Sequence, residues 1–390
     1  MSEQVNKIIG KVFSELADTL ATGSYGKKPN IGLTTLGSEH GEDNGIAGAV
    51  SALKANVDVT IIGSKASDGL KLAKVEAEDL AHKKMEELLN SGEIDACVTM
   101  HYPFPIGVST VGRVITPGTG KEMFIATTTG TSSTDRIEGM IKNAIYGIIT
   151  AKACGIKNPT VGILNVDGAR QVEIALKKLK ENGYDINFAE SKRADGGVVM
   201  RGNDLLMASC DVMVMDSLTG NLMMKMFSSY TTGGSYESLG YGYGPGIGEG
   251  FDKIIMIISR ASGAPVIEGA IKFAGELVKG KVLSIAKDEF AKAKKAKLED
   301  ILKESKPNKK EQASDEDVVA PPKEVVTGQI SGIEIMDLED AVKALWKKGI
   351  YAESGMGCTG PIILVNEAKL KAAINVCIEA GYVSKEKADC

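Results

Sequence analysis

IGLTTLGSEHGEDNGIAGAVSALKANVDVTIIGS, Ile31–Ser64, carries the pattern from which the expected architecture follows. It opens on a short apolar run, IGLTTLG, of strand length and rich in β-forming residues. The acids Glu42 and Asp43 follow, and EDNGIAGAVSALKAN then reads as a helix. VDVTIIGS is β-branched and short, a second strand. A strand, a helix and a strand in so few residues predict a parallel pair joined by a helical crossover.

The rhythm continues outward. LKLAKVEAEDLAHKKMEELLNSG, from Leu70, reads as helix and IDACVTM, from Ile94, as strand. MFIATTT reads as strand, and TDRIEGMIKNAIYGIITAKACG as a helix stopped by Gly155. TVGILNV, DINFAES, DVMVMDS and DKIIMIIS add strands, with helices between and after them. The expectation is an α/β sandwich of three layers, a parallel sheet with helices on both faces. An amphipathic helix is expected from 4 to 21, with Val5, Ile8, Ile9, Val12 and Phe13 on one face. The α/β domain is assigned to 1–287, and a Lys/Glu/Ala-rich solvated helix with a charged linker to 288–326. A small tethered α/β module follows at 327–390.

The 390 residues carry a net charge of −5, which argues against a nucleic-acid surface as the main function. No apolar run approaches the ~20 residues of a membrane span, and the N-terminus lacks a secretory apolar core, so a cytoplasmic protein is expected. The six cysteines show no C-x-x-C and there are three histidines, so no structural metal site is expected.

The module contains YAESGMGCTGPIILVN, starting at Tyr351. GMGCTG fits the G-x-G-x-x-G pattern, but Pro361 and a β-branched run follow where a dinucleotide fold needs a helix. The alternatives are a glycine-rich turn with a buried Cys358, or a nest in which Gly355, Gly357, Thr359 and Gly360 surround a reactive thiolate. Cys97, two residues before Thr99 and four before His101, is a second candidate thiol beside a core reading. IATTTGTSSTD places seven hydroxyls between a strand and a helix. Thr127, Thr128, Thr129, Thr131, Ser132 and Ser133 suit a phosphate site or a polar capping turn. YGYGPGIGEG reads as a lid or a loop.

GLTTLGSEHGEDNGIAGAVSAL resembles the opening of the phosphate acyltransferases of bacterial phospholipid synthesis. VGILNV resembles that family's Leu-Leu-Asn segment. DSLTGNLMMK resembles its Asp-Gly-Phe-x-Gly-Asn-x-x-Leu-Lys segment, with Asp216, Gly220, Asn221 and Lys225 in place and Ser217 and Leu218 departing from it. This likeness runs from Ile31 to Val278. The whole layout, linker and GMGCTGPIIL included, resembles the alpha subunits of component C of glycine/sarcosine/betaine reductase complexes.

These resemblances imply an isocitrate-dehydrogenase-like or phosphotransacetylase-like fold. They imply release of acetyl phosphate from an acetyl thioester by inorganic phosphate, with no bound cofactor. The implied partners are a ketoacyl-synthase-like beta subunit and a selenoprotein, component A, that carries a carboxymethyl group. Lys225 and the hydroxyl run are then expected to neutralise phosphate, and Asn221 to hold a carbonyl or phosphate oxygen. His40 is open between proton positioning, capping and core packing. The rival readings are an acyl carrier protein-dependent phosphate acyltransferase and a non-catalytic scaffold.

Overall fold

The computed structural model describes residues 10, 12–13, 28–192, 196–305, 318–333, 337–357 and 360–383. It divides into two compact units, Met1–Lys306 and Pro307–Cys390. Apart from Gly10, Val12 and Phe13, the expected N-terminal helix lies outside the described residues.

The first unit begins β1 (Asn30–Thr34), α1 (Gly41–Ala52), β2 (Asp58–Gly63), β3 (Lys71–Lys74), α2 (Glu78–Ser91) and β4 (Ala96–Thr99). Next come β5 (Val108–Ile115), β6 (Glu122–Thr131), α3 (Arg136–Ala153), β7 (Thr160–Leu164) and α4 (Ala169–Glu181). They are followed by β8 (Asn187–Phe188), β9 (Val199–Met200), α5 (Gly202–Leu206), β10 (Val212–Val214) and α6 (Ser217–Ser229). The unit closes with β11 (Gly244–Gly248), β12 (Ile255–Ile257), α7 (Ala264–Lys279), α8 (Val282–Lys295) and α9 (Leu298–Ser305).

The strands form one sheet in the order β3-β2-β1-β4-β12-β11-β5-β6-β10-β7-β8, with β9 also on β7. Side chains alternate across it, as strand geometry requires. Phe124, Ala126, Val212 and Val214 enter one core with α1, α3, α4, α7, α8 and α9. Met123, Ile125, Met213 and Met215 enter the other with α2, α5 and α6. The result is a three-layer α/β sandwich.

The sheet is mixed rather than wholly parallel. β1, β2, β4 and β12 are parallel, and so are β6, β10 and β7. Antiparallel pairings through β11 and β5 join the two sets. β11 comes from the glycine-rich stretch read as a lid or loop. An added Cβ at Gly244, whose φ is +85, would lie 1.7 Å from the Val111 carbonyl oxygen. Only glycine lets the two backbones approach this closely, so the composition that looked like a loop makes an interior strand.

The expected long helix from Leu70 also divides. Lys71–Lys74 pairs with the open edge of β2, and α2 starts at Glu78 with two acids in its first turn. The stretch read as a solvated helix beyond 287 is amphipathic. Phe290, Ala293, Leu298 and Ile301 are buried in the first core, and residue 287 lies within α8.

The second unit holds β13 (Gly328–Ser331), α10 (Leu338–Lys347), β14 (Ala352–Gly357), β15 (Gly360–Val365) and α11 (Leu370–Glu379). β15 lies between β13 and β14, antiparallel to both. Ile330, Leu345, Ile363, Val365 and Cys377 form its core.

Candidate anion-binding cleft

Helix α6 organises the candidate site. Asp216 caps it, its carboxylate accepting from the Thr219 N–H at 3.0 Å and the Thr219 hydroxyl at 2.7 Å. Gly220 faces β6, where an added Cβ would sit 1.7 Å from the Thr127 carbonyl oxygen. The glycine therefore sets the helix directly against the strand. Met224 and Phe227 bury the inner face. Asn221 and Lys225, four residues apart, share one face of the helix. The Asn221 amide donates to the Thr128 carbonyl at 3.1 Å.

That face lines a cavity of about 540 Å³. Met100 and His101, just beyond β4, and Ser259 and Arg260, just beyond β12, supply further walls with Thr129, Tyr243 and one acid, Glu39. Residues that follow the carboxyl ends of parallel strands are where open α/β sheets bind ligands. The Arg260 guanidinium is 2.6 Å from Glu78. Among the described residues, no ion pair engages Lys225, whose ammonium lies 5.8 Å from the Tyr243 ring centroid. A cation on a concave wall beside amide and hydroxyl groups suits an anion.

The expected hydroxyl run splits. Thr127, Thr128 and Ser132 are buried. Thr127 donates to the Thr110 carbonyl, Thr128 donates to the Tyr243 carbonyl at 2.7 Å, and Ser132 donates to Asn143 at 2.6 Å. These three hydroxyls are hydrogen-bonded within the fold, and Thr127 and Ser132 also border the smaller of the two cavities beside α6. Thr129 is half-buried on the large cavity. Thr131 and Ser133 border a separate cavity of about 350 Å³ with Arg136 and Asp216. There Arg136 bridges Asp216 at 3.0 Å and Asp167 at 3.3 Å. Burial works to raise the Asp216 carboxyl, but the Thr219 hydrogen bonds and the Arg136 charge bring it below its ordinary value. Asp216 is thus a helix cap and ion-pair partner.

His40 stands at the N-cap position of α1, exposed and without a side-chain capping bond. Its ring meets Tyr236 edge-on at 5.9 Å between centroids, which excludes the core reading. Cys97 is fully buried, facing the core of Ile62, Met85 and Ile94, and burial drives its thiol far above the ordinary range. It is a core residue. Burial likewise pushes Cys154 and Cys210 up to about 12 and Cys377 to about 11.

Cys358 and Thr359 lie outside the described residues. Gly355 is a strand residue opposite Ile362, and Gly357 pairs with Gly360, so these three glycines belong to a hairpin ladder rather than to an open loop. Among the described residues, no group of three or more His, Cys, Asp or Glu is placed to hold a metal ion. No described helix is long and apolar enough to cross a membrane.

His101, Tyr243, Ser259 and Arg260 line the candidate cleft and were not found by motif reading. The available signal was position: His101 and Arg260 each follow a strand that the sequence shows plainly.

Residues 30–364 match the model of the family described as "Fatty acid synthesis protein". The chain is 62% identical over 382 residues to the glycine/sarcosine/betaine reductase complex component C subunit alpha of Peptoclostridium acidaminophilum. That match covers 97% of this chain and 99% of the relative. It is 27% identical over 239 residues to a phosphate acyltransferase of Geobacillus sp. (strain WCH70), covering 50% of this chain and 70% of that one. Among solved structures, a branched-chain phosphotransacylase from Enterococcus faecalis V583 aligns over 64% of this chain and 99% of its own. Its TM-score is 0.45, at 13% identity. The chain belongs to the fatty acid synthesis protein family and, within it, to the component C alpha subunits of glycine/sarcosine/betaine reductase complexes.

Proposed function

We propose that this chain is the acyl-transfer subunit of a glycine/sarcosine/betaine reductase complex, releasing acetyl phosphate from an enzyme-bound acetyl thioester by attack of inorganic phosphate. The observation that carries this reading is the cavity where Asn221 and Lys225 meet Arg260, His101 and Thr129. A phosphate oxygen adds to the thioester carbonyl carbon, and the tetrahedral intermediate then expels the thiolate. No electron is transferred, and no bound cofactor is needed. Lys225 holds the phosphate charge, Arg260 stands beside it in its pair with Glu78, and Asn221 has an amide N–H, besides the one given to Thr128, for a phosphate or carbonyl oxygen. Cys358 is the candidate thioester carrier. A thiolate is both a competent nucleophile and a good leaving group, and in the sequence Cys358 follows a glycine, which has no side chain to crowd an acyl group.

The partners in this reading are a ketoacyl-synthase-like beta subunit and a selenoprotein that delivers the two-carbon unit, all in the cytoplasm. The test is acetyl phosphate formation by the reconstituted complex as phosphate is varied. Cys358→Ser should abolish the product while the subunit stays folded, because a serine hydroxyl is not ionised near neutral pH. Full activity of that variant would remove Cys358 from the mechanism. Acetyl phosphate formation with a phosphate dependence indifferent to Lys225→Ala would remove the cleft.

A further inference from the structure

Glu237 is a carboxyl that the proposed reaction does not use, yet it is only 4% exposed. Burying an acid is costly unless its oxygens are satisfied. Both are. One accepts from the Tyr243 phenol at 3.0 Å and the other from the Ser262 hydroxyl at 3.1 Å. The backbone is pinned as well: the Glu237 N–H donates to Ala261 at 3.0 Å, and its carbonyl accepts from Gly263 at 2.8 Å.

The two side-chain donors come from separate segments, and each segment carries part of the cavity wall. Tyr243 lines the cavity itself and lies under the Lys225 ammonium. Ser262 closes the turn that bears Ser259 and Arg260, and its oxygen accepts from the Ser259 N–H at 3.1 Å. Asn44 braces the same turn, donating to the Ser262 carbonyl at 2.9 Å.

We propose that Glu237 is a positioning residue of the cleft: its carboxyl fixes Tyr243 and the Ser259–Ser262 turn together, and so sets the places of Lys225 and Arg260 for an anion. Burial and the nearby carboxylate push the Tyr243 phenol well up, which keeps it a hydrogen-bond donor. Burial outweighs the bonds from Tyr243 and Ser262 and the Lys225 charge at Glu237 itself, and holds its carboxyl above the ordinary range. This inference rests on the reading of the cleft as a phosphate site.

The experiment is calorimetric titration of the full chain with inorganic phosphate, paired with phosphate kinetics of the reconstituted complex. Glu237→Ala should weaken phosphate binding about tenfold, the scale of a lost hydrogen bond to a charged group. It should raise the phosphate KM by the same factor and leave kcat within about twofold. Tyr243→Phe, which removes a single oxygen, should give part of the effect and carries the test if Glu237→Ala does not fold. Because the bond lost in Tyr243→Phe is one of the two lost in Glu237→Ala, the double variant should be no weaker than Glu237→Ala alone. Wild-type affinity in Glu237→Ala and Tyr243→Phe, with Lys225→Ala impaired, would overturn the positioning role and spare the phosphate site. Tighter phosphate binding in Glu237→Ala would show a repelling charge and also overturn it. A wild-type chain that binds no phosphate would overturn the cleft reading and this inference together.

Discussion

Helix α6 borders two polar cavities that differ in what their charges already hold. At its N-terminus, Arg136 is engaged by Asp167 and Asp216, and Asp216 also caps the helix. Two turns further on, Lys225 reaches a larger cavity with no ion-pair partner among the described residues, over the Tyr243 ring. The first arrangement spends its charges on fixing the helix. The second leaves a charge to be neutralised from outside. A rich set of hydroxyls is therefore a poorer guide to a ligand than one unpaired cation on a concave wall. The same contrast runs through the threonines: Thr127 and Thr128 are consumed by backbone carbonyls, whereas Thr129 faces the larger cavity.

The sharpest break of this comparison is Lys225→Ala. Charge-assisted contacts are worth ~1.5–3 kcal/mol, so the phosphate needed for half-maximal acetyl phosphate formation should rise roughly ten- to a hundredfold. The phosphate saturation curve of the reconstituted complex checks it.

Gly220→Ala acts between the cavities. Its methyl group would collide with the Thr127 carbonyl oxygen, and overpacking of this kind costs ~1–3 kcal/mol. Thermal unfolding should move down by several degrees. An unchanged midpoint would mean that the helix does not need glycine to meet the strand.

Asp216→Ala should cost ~1 kcal/mol of stability at neutral pH, the value of a lost cap. The Asp216 carboxyl is held below its ordinary value, so its contribution is fully present above the unfolded value of ~3.9. That contribution is lost as pH falls through the lower folded value. Wild type and variant should therefore begin to converge in denaturant titrations as pH falls below about 4, and meet only below the lower folded value. A gap that persists there would assign the effect to something other than the carboxylate.

Ser133→Ala and Thr131→Ala should change least, leaving the phosphate requirement within about twofold, since both border the cavity whose charges are paired. A larger rise in either would move the anion site to the N-terminus of the helix.

Much of the architecture could be read from local pattern, because a side chain's face in a strand or helix is set by its near neighbours. The alternation in MFIATTT and DVMVMDS distributes their side chains between the two cores. DSLTGNLMMK likewise contains its own cap, its glycine contact and two polar residues on one face. Contacts between distant segments were not legible in this way. Nothing near Lys71 tells it to pair with the edge of β2, and nothing near Gly244 tells it to lie against Val111. The burial that silences Cys97 and the bonds that occupy Thr127 come from other strands. The convergence of His101 and Arg260 on Lys225 and the tie between Glu237 and Ser262 likewise join segments apart in the chain. Residue type along the chain marks the groups that are chemically able to bind an anion. Which of them are free to do so is settled only on folding, because a polar group's availability depends on partners that the fold brings to it, 17 residues away for Thr127 and 115 for Thr128.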